Sequence, residues 1–173
     1  MGWNTSALFV RGRSIGEVIG CLPDNTEFLP SGERLSADHA WSHSPAQRLY
    51  LAEADGWCQM WDADQRIPSD VDNLFKTGAP WALQGTRALA VLFSSVSSIY
   101  GLWLYDDGEL VRGLVFHNGE AVVDAGEPLP AEARVDIPAW GPDEDFLWTL
   151  INDVTGVTAK VDQTFEVYEA VKR

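Results

Sequence analysis

Between residues 87 and 125 the chain alternates strand-length apolar runs with short polar breaks. Arg87 to Phe93 is almost wholly apolar, the pattern of a strand covered on both faces. After a polar connection at Ser94–Ser98, two further runs end in Asp107-Gly108 and Asn118-Gly119. Both dipeptides adopt left-handed backbone at low cost, which makes them strong hairpin signals. The pattern predicts a three-stranded antiparallel meander. Two-residue turns would also fix its register. The first pairs Tyr105 with Leu110, Trp103 with Arg112 and Gly101 with Leu114. The second pairs Phe116 with Ala121, Leu114 with Val123 and Arg112 with Ala125. One face then carries Trp103, Tyr105, Leu114, Phe116 and Val123. The other carries Leu102, Leu104, Val111, Val115 and Val122.

The flanking segments read in the same way. Thr5–Val10 is a first strand. Ser14-Ile15-Gly16-Glu17 has the spacing of a capping box, and Ile15, Val18, Ile19 and Leu22 follow at helical spacing before Pro23. Gly12, Gly16 and Gly20 recur every fourth residue, which predicts close packing of this helix on a sheet. Asp24–Pro45 is rich in polar and turn residues and is expected to be irregular. Leu49–Asp62 reads as a hairpin about Asp55-Gly56, with Tyr50 opposite Trp61 and Ala54 opposite Trp57. Its other face carries Leu49, Leu51, Cys58 and Met60, so the hairpin is covered on both sides or shows aromatics to a partner. Pro68 and Ser69 open a second helix with Val71, Leu74 and Phe75 inward and Gly78 as C-cap. Pro128 and Pro130 end the sheet segment. Gly141-Pro142-Asp143-Glu144-Asp145 begins a third helix, with Pro in the first turn, an apolar stripe at Phe146, Leu147, Leu150, Ile151 and Val154, and Gly156 as its end. Thr164–Val171 is a last strand. These elements predict one α+β domain over residues 1–173, a mainly antiparallel sheet of about seven or eight strands with three short helices packed on it.

Composition adds limits. A chain of 173 residues, 46% hydrophobic and 22% charged, is globular. At that size it buries about 70% of its unfolded surface and needs no staples. A net charge of −14 argues against nucleic acid and anionic membrane as partners. It permits a basic protein partner, although solubility alone also explains it. Eight Trp leave room for an aromatic binding surface beyond the core. Cys21 and Cys58 lack metal or redox spacing. No signal-peptide pattern opens the chain and no apolar run reaches membrane length, so the cytoplasm is expected. Met1-Gly2-Trp3-Asn4-Thr5-Ser6 fits the spacing of a myristoylation signal, but a bulky Trp beside the glycine counts against it.

Candidate chemistry is thin. His39 and His43, with Asp38 alongside, would share a helix face and suit a transition metal, yet Ser42, Ser44 and Pro45 favour a polar loop. Ser94–Ser98 and His117 supply hydrolase residue types without a nucleophile elbow. The acids between Asp106 and Asp145 are abundant, but nothing selects a catalytic pair. Gly12-Arg13-Ser14-Ile15-Gly16 lacks the lysine of a phosphate loop and the third glycine of a dinucleotide fingerprint. Arg112, in mid-strand, is the sharpest residue. It either stacks on Trp103 or holds a carboxylate such as Glu127 or a ligand anion. Gly113 beside it leaves a notch on the opposite face.

Three stretches, Ser97-Ser98-Ile99-Tyr100-Gly101, Tyr105-Asp106-Asp107-Gly108-Glu109-Leu110-Val111-Arg112 and Gly126-Glu127-Pro128-Leu129-Pro130, resemble a group of uncharacterised bacterial domains common in actinobacteria. The resemblance spans about residues 87–133. It implies a small α+β fold and favours Arg112 and Glu127 as recurring parts of the pattern. It carries no activity to transfer.

The sequence therefore supports a non-enzymatic acidic binding protein, in its most concrete form an immunity or antitoxin-like protein that recognises a basic partner. Trp57, Trp61, Trp103, Arg112 and Glu127 are the candidate binding residues. No catalytic residue, metal or cofactor is expected. The alternative is a small-molecule enzyme or sensor with a pocket between sheet and helices, using Arg112 for an anion and His117 or a carboxylate for proton transfer. A self-associating structural domain is the third reading.

Overall fold

Nine strands pair antiparallel into one sheet in the computed structural model, which describes residues 2–22, 27–42, 47–69, 71 and 84–171. They are β1 (Asn4–Arg11), β2 (Phe28–Ser36), β3 (Arg48–Ala54), β4 (Trp57–Asp62), β5 (Arg87–Ser94), β6 (Ile99–Asp106), β7 (Glu109–His117), β8 (Glu120–Gly126) and β9 (Thr164–Ala170). Their order across the sheet is β2-β9-β3-β4-β1-β5-β6-β7-β8. The helices are α1 (Ile15–Ile19), α2 (Ala37–Ser42) and α3 (Glu144–Thr155), with a 3-10 turn at Pro130–Ala133. Residues 67–69 and 71 are helical, where Pro68 and Ser69 predict a helix. Leu74, Phe75 and Gly78 lie outside the described residues. The architecture is α+β and dominated by one antiparallel sheet, with one strand more than the sequence predicts.

The extra strand comes from the segment read as irregular. Phe28–Ser36 is β2, and Ala37–Ser42 is α2. β2 is an edge strand bonded only to β9, and most of it faces solvent. It therefore needs no apolar alternation, and its Pro30 sits where edge strands tolerate proline. A register shift between Pro30 and Arg34 accommodates Gly32 at φ +84°.

Where local turn chemistry decides, sequence and structure agree. Tyr50 pairs with Trp61 and Ala54 with Trp57. Ser14 and Glu17 form the reciprocal capping box of α1. Gly156 ends α3 in the left-handed region at φ +74°, with its N–H donating to the Asn152 carbonyl. At the start of α3 the cap is Asp143, whose Oδ1 accepts from Phe146 N at 3.0 Å. Pro142 stands before the cap rather than in the first turn. Gly16 and Gly12 have open space where a Cβ would sit, so the four-residue glycine spacing does not mark close packing.

The meander exists, but its register departs from the ideal by one residue. Tyr105 pairs with Leu110, and the next rung joins Leu104 to Arg112, leaving Val111 as a bulge. On the far side, Phe116 pairs with Ala121 and Val115 with Val123, leaving Val122 as a second bulge. One extra residue reverses every side chain beyond it. Arg112 and Leu114 therefore share a face with Leu102 and Leu104, and Trp103 lies on the other. Trp103 is opposite Gly113, and Arg112 is opposite Leu104 and Gly126. The stack of Arg112 on Trp103 does not occur.

Both faces of the central strands are buried. On one, α2, α3 and the 3-10 turn cover Phe9, Tyr50, Trp61, Phe93, Leu104 and Phe165. Here Trp3 stacks on Trp41 at 5.0 Å and Trp61 on Trp148 at 5.7 Å. On the other, α1 and Ile67 and Val71 cover Leu8, Val10, Leu51, Cys58 and Met60. No helix among the described residues is long and apolar enough to cross a membrane.

Candidate recognition surface

The residues singled out from sequence do not meet. Trp61 is fully buried, with its indole N–H donating to Gln59 Oε1 at 2.9 Å. Trp57 is also core, at the hairpin end. Trp103 lies on the opposite face, its ring across the open Cα of Gly101. Glu127 is exposed just beyond β8. The carboxylates on Arg112 are instead Glu132 and Asp124. Glu132 binds the guanidinium through two bonds, at 2.9 Å to Nε and 2.5 Å to Nη2. Nη1 reaches Asp124 at 2.6 Å and the carbonyls of Ala125 and Gly126 at 3.0 and 3.3 Å. Arg112 is 2% exposed and its donors face protein acceptors, so it pins the end of β8 and the 3-10 turn to the sheet. The sequence missed this because Glu132 approaches from a segment outside the meander.

The catalytic candidates are similarly placed. His39 lies on α2 with Nδ1 3.0 Å from Ser36 Oγ, and His43 lies outside the described residues. Among the described residues no group of three or more His, Cys, Asp or Glu is arranged to hold a metal. His117 is exposed and contacts Asn118; no hydrogen bond among the described residues joins it to Ser94–Ser98, which is the last residue of β5 and the turn into β6. Cys58 is fully buried, and burial first, then Glu53 and Glu17, pushes its thiol up to about 12. Between sheet and α3 the space is filled by Phe146, Leu147, Leu150 and Ile151.

What the fold does gather is a set of side chains at one end of the sheet. The Asn118-Gly119 turn donates from Asn118 N to Ser98 O at 2.9 Å, joining the β7–β8 and β5–β6 turns. The loop before α3 closes onto the same turn: a Cβ on Gly119 would stand 3.1 Å from the Trp140 carbonyl. Glu144 ties α3 to this end by accepting from Trp3 N at 3.1 Å and Tyr100 OH at 3.4 Å. Burial, then the Glu144 carboxylate, pushes the Tyr100 hydroxyl up to about 12, so it remains a neutral donor.

Three apolar side chains are left in solvent on these loops: Val96 at 85%, Trp140 at 79% and Ile137 at 44% exposure. Trp140 is the one exposed tryptophan among the described residues. Segments 95–100, 117–121 and 135–145 bring five acids, Glu120, Asp136, Asp143, Glu144 and Asp145, and no Lys or Arg. Glu120, Asp136 and Asp145 are exposed. Asp143 and Glu144 are held by the cap and by Trp3 and Tyr100, which fixes the frame. Trp140 therefore stands exposed on a loop that, with the first turn of α3, also carries the exposed acids Asp136 and Asp145. No family model, curated protein or solved structure matches the chain, so the reading of this surface rests on its own geometry.

Proposed function

We propose that the protein is a non-enzymatic binding module that recognises a basic protein partner through this end of the sheet. The observation that carries the reading is Trp140, 79% exposed on a loop that, with the first turn of α3, also carries Asp136, Asp143, Glu144 and Asp145. Trp140, with Val96 and Ile137 exposed on the neighbouring loops, offers apolar surface that a partner can cover. Covering it supplies a hot spot of about 2 kcal/mol or more, roughly thirtyfold in affinity. The net charge of −14 adds long-range attraction that speeds encounter with a basic surface. The most specific form of the proposal is an immunity or antitoxin-like role, in which the partner is a basic toxin domain blocked by the complex.

The test is capture from the native host with three tagged proteins: the wild type, Trp140→Ala, and the triple variant Glu120→Lys/Asp136→Lys/Asp145→Lys. A basic protein held by the wild type and released by both variants supports the reading. If Trp140→Ala retains the same proteins as the wild type, this surface is not the interface. Co-expression that relieves the toxicity of the captured protein would support the immunity form, and unrelieved toxicity would remove it.

A further inference from the structure

A cavity of about 310 Å³ opens on the α1 side of the sheet, where α1 meets β3, β9 and the edge strand β2. Its lining includes Ile15, Arg34, Leu51, Glu53, Thr164 and Glu166.

The register aims these side chains. Arg34 pairs with Glu166 across β2 and β9, and Glu166 pairs with Leu51 across β9 and β3. Directly paired residues project to one face, so the three stand in a row on the side that buries Leu51. Glu53, two residues beyond Leu51 in β3, shares that face. Paired Cβ atoms lie about 5 Å apart and diagonal ones about 7–8 Å, which spaces Arg34 from Glu166 and Glu166 from Glu53.

The charged groups of the lining are not spent on one another. Arg34 is exposed and Glu166 half-buried, and they face each other across a rung. Even so, neither side chain makes an ion pair or a hydrogen bond among the described residues. Glu53 accepts from Ile15 N at 2.9 Å through Oε1, and among the described residues its Oε2 makes no bond. The charges around the rim do not reverse this balance. Arg48 pairs with Glu169 at 2.6 Å and with Glu33 at 3.6 Å. Lys160 and Asp162, in the stretch before β9, carry opposite charges. Glu17, which accepts from Ser14 N at 2.7 Å, adds negative charge beside Glu53.

We propose that this cavity binds a free basic α-amino acid, lysine or arginine. Arg34 holds its α-carboxylate, Glu166 its α-ammonium and Glu53 the cation at the end of its side chain. The aliphatic stem lies along Ile15 and Leu51. A ligand with two positive groups and one negative group meets a lining of the opposite set. An anion would face two carboxylates, and an amine without a carboxylate would leave Arg34 unmatched. The site lies toward the β2 edge, away from the Trp140 surface, and either reading stands if the other fails.

Amide shifts followed during titration with L-lysine, L-arginine, norleucine and cadaverine test it. Norleucine is lysine without the side-chain ammonium, and cadaverine is lysine without the carboxylate. Saturable shifts at Ile15, Ala52 and Thr164 with lysine or arginine support the site. Removing one charged group from the ligand, or making Arg34→Gln or Glu166→Gln, should weaken binding about tenfold. Arg134→Gln, on an exposed arginine elsewhere, should leave it unchanged. The ligand series on the wild type gives its answer even if a variant is destabilised. A linear response to both amino acids overturns the proposal. So does binding that Arg34→Gln or Glu166→Gln leaves intact, and so does norleucine or cadaverine held as tightly as lysine.

Discussion

Replacing Arg112 with Met separates the two roles that an arginine in mid-strand can have. Five hydrogen bonds leave its guanidinium, three of them to carboxylates. Charge-assisted bonds are each worth about 1.5–3 kcal/mol, and five would match the whole stability of a domain. They cannot be added. What decides the cost is the state of the partners left behind. Glu132 is 14% exposed and would be stranded beneath the 3-10 turn, while Asp124 is 65% exposed and returns to water cheaply. Losing one partner of a buried pair costs about 3–5 kcal/mol, and we expect Arg112→Met to fall there. Asp124→Asn should cost under about 1 kcal/mol. Arg112→Met/Glu132→Leu should recover part of the loss, because no buried charge remains. It should not recover all of it, since Glu132 also accepts from Leu129 N at 2.5 Å. Urea unfolding monitored by the aromatic cluster reads these values from the midpoint at constant slope. A loss below about 1 kcal/mol for Arg112→Met would refute the pin and return Arg112 to the list of residues kept for a ligand.

Other outcomes follow from single positions. Trp140→Ala should change stability by less than about 0.5 kcal/mol in the same urea assay, because its ring touches solvent rather than core. A larger loss would make the residue structural. Gly126→Ala should be far more destabilising than Gly56→Ala, although φ is near +82° at both. At Gly126 a Cβ would collide with the Val111 carbonyl at the bulge, and at Gly56 it meets open space. Equal melting shifts would contradict the bulged register. The Cys58 contribution to stability should be complete below about pH 9 and decline from there toward 12, because the folded protein keeps the thiol protonated up to about 12 while the unfolded thiol ionises near 9.0. Cys58→Ala should flatten the first part of that decline in pH-dependent denaturation, and an unchanged profile would place the cause elsewhere.

The fold was legible wherever a few adjacent residues decide the outcome. Asp55-Gly56, the Ser14–Glu17 box and Gly156 all act locally, and each is found where the sequence places it. The meander shows the limit. Its turns were readable, but Val111 and Val122 are bulged residues with no local mark, since Val suits a regular strand equally well. The cause is distant: Arg112 has to face the helix-covered side, where Glu132 waits, and only an extra residue in β7 turns it there. Likewise β2 was invisible because its partner β9 is supplied by the other end of the chain. An edge strand with solvent on most of its surface carries no periodicity to detect.

The site follows a different logic. The surplus of tryptophan suggested an aromatic binding surface, and the structure spends Trp3, Trp41, Trp61 and Trp148 on one interior cluster instead. Trp57 and Trp61 look like anchors from sequence because strands display alternate residues, but a sheet covered on both faces displays neither. Trp140 had a signal of its own. It stands in Ile137-Pro138-Ala139-Trp140-Gly141-Pro142, where two prolines and a glycine exclude both helical and strand periodicity. A large aromatic with no periodic apolar partners has no element to bury it. Asp145 reads from sequence as part of a helix start, although the cap itself needs only Asp143. Charge alone does not single out this surface, because acids also gather at the other end of the same strands, where Glu17, Glu53, Asp55, Asp106, Asp107 and Glu109 outnumber Arg11, Arg13 and Arg87. What sets it apart is Trp140, 79% exposed on a loop that gives the ring no element to pack on.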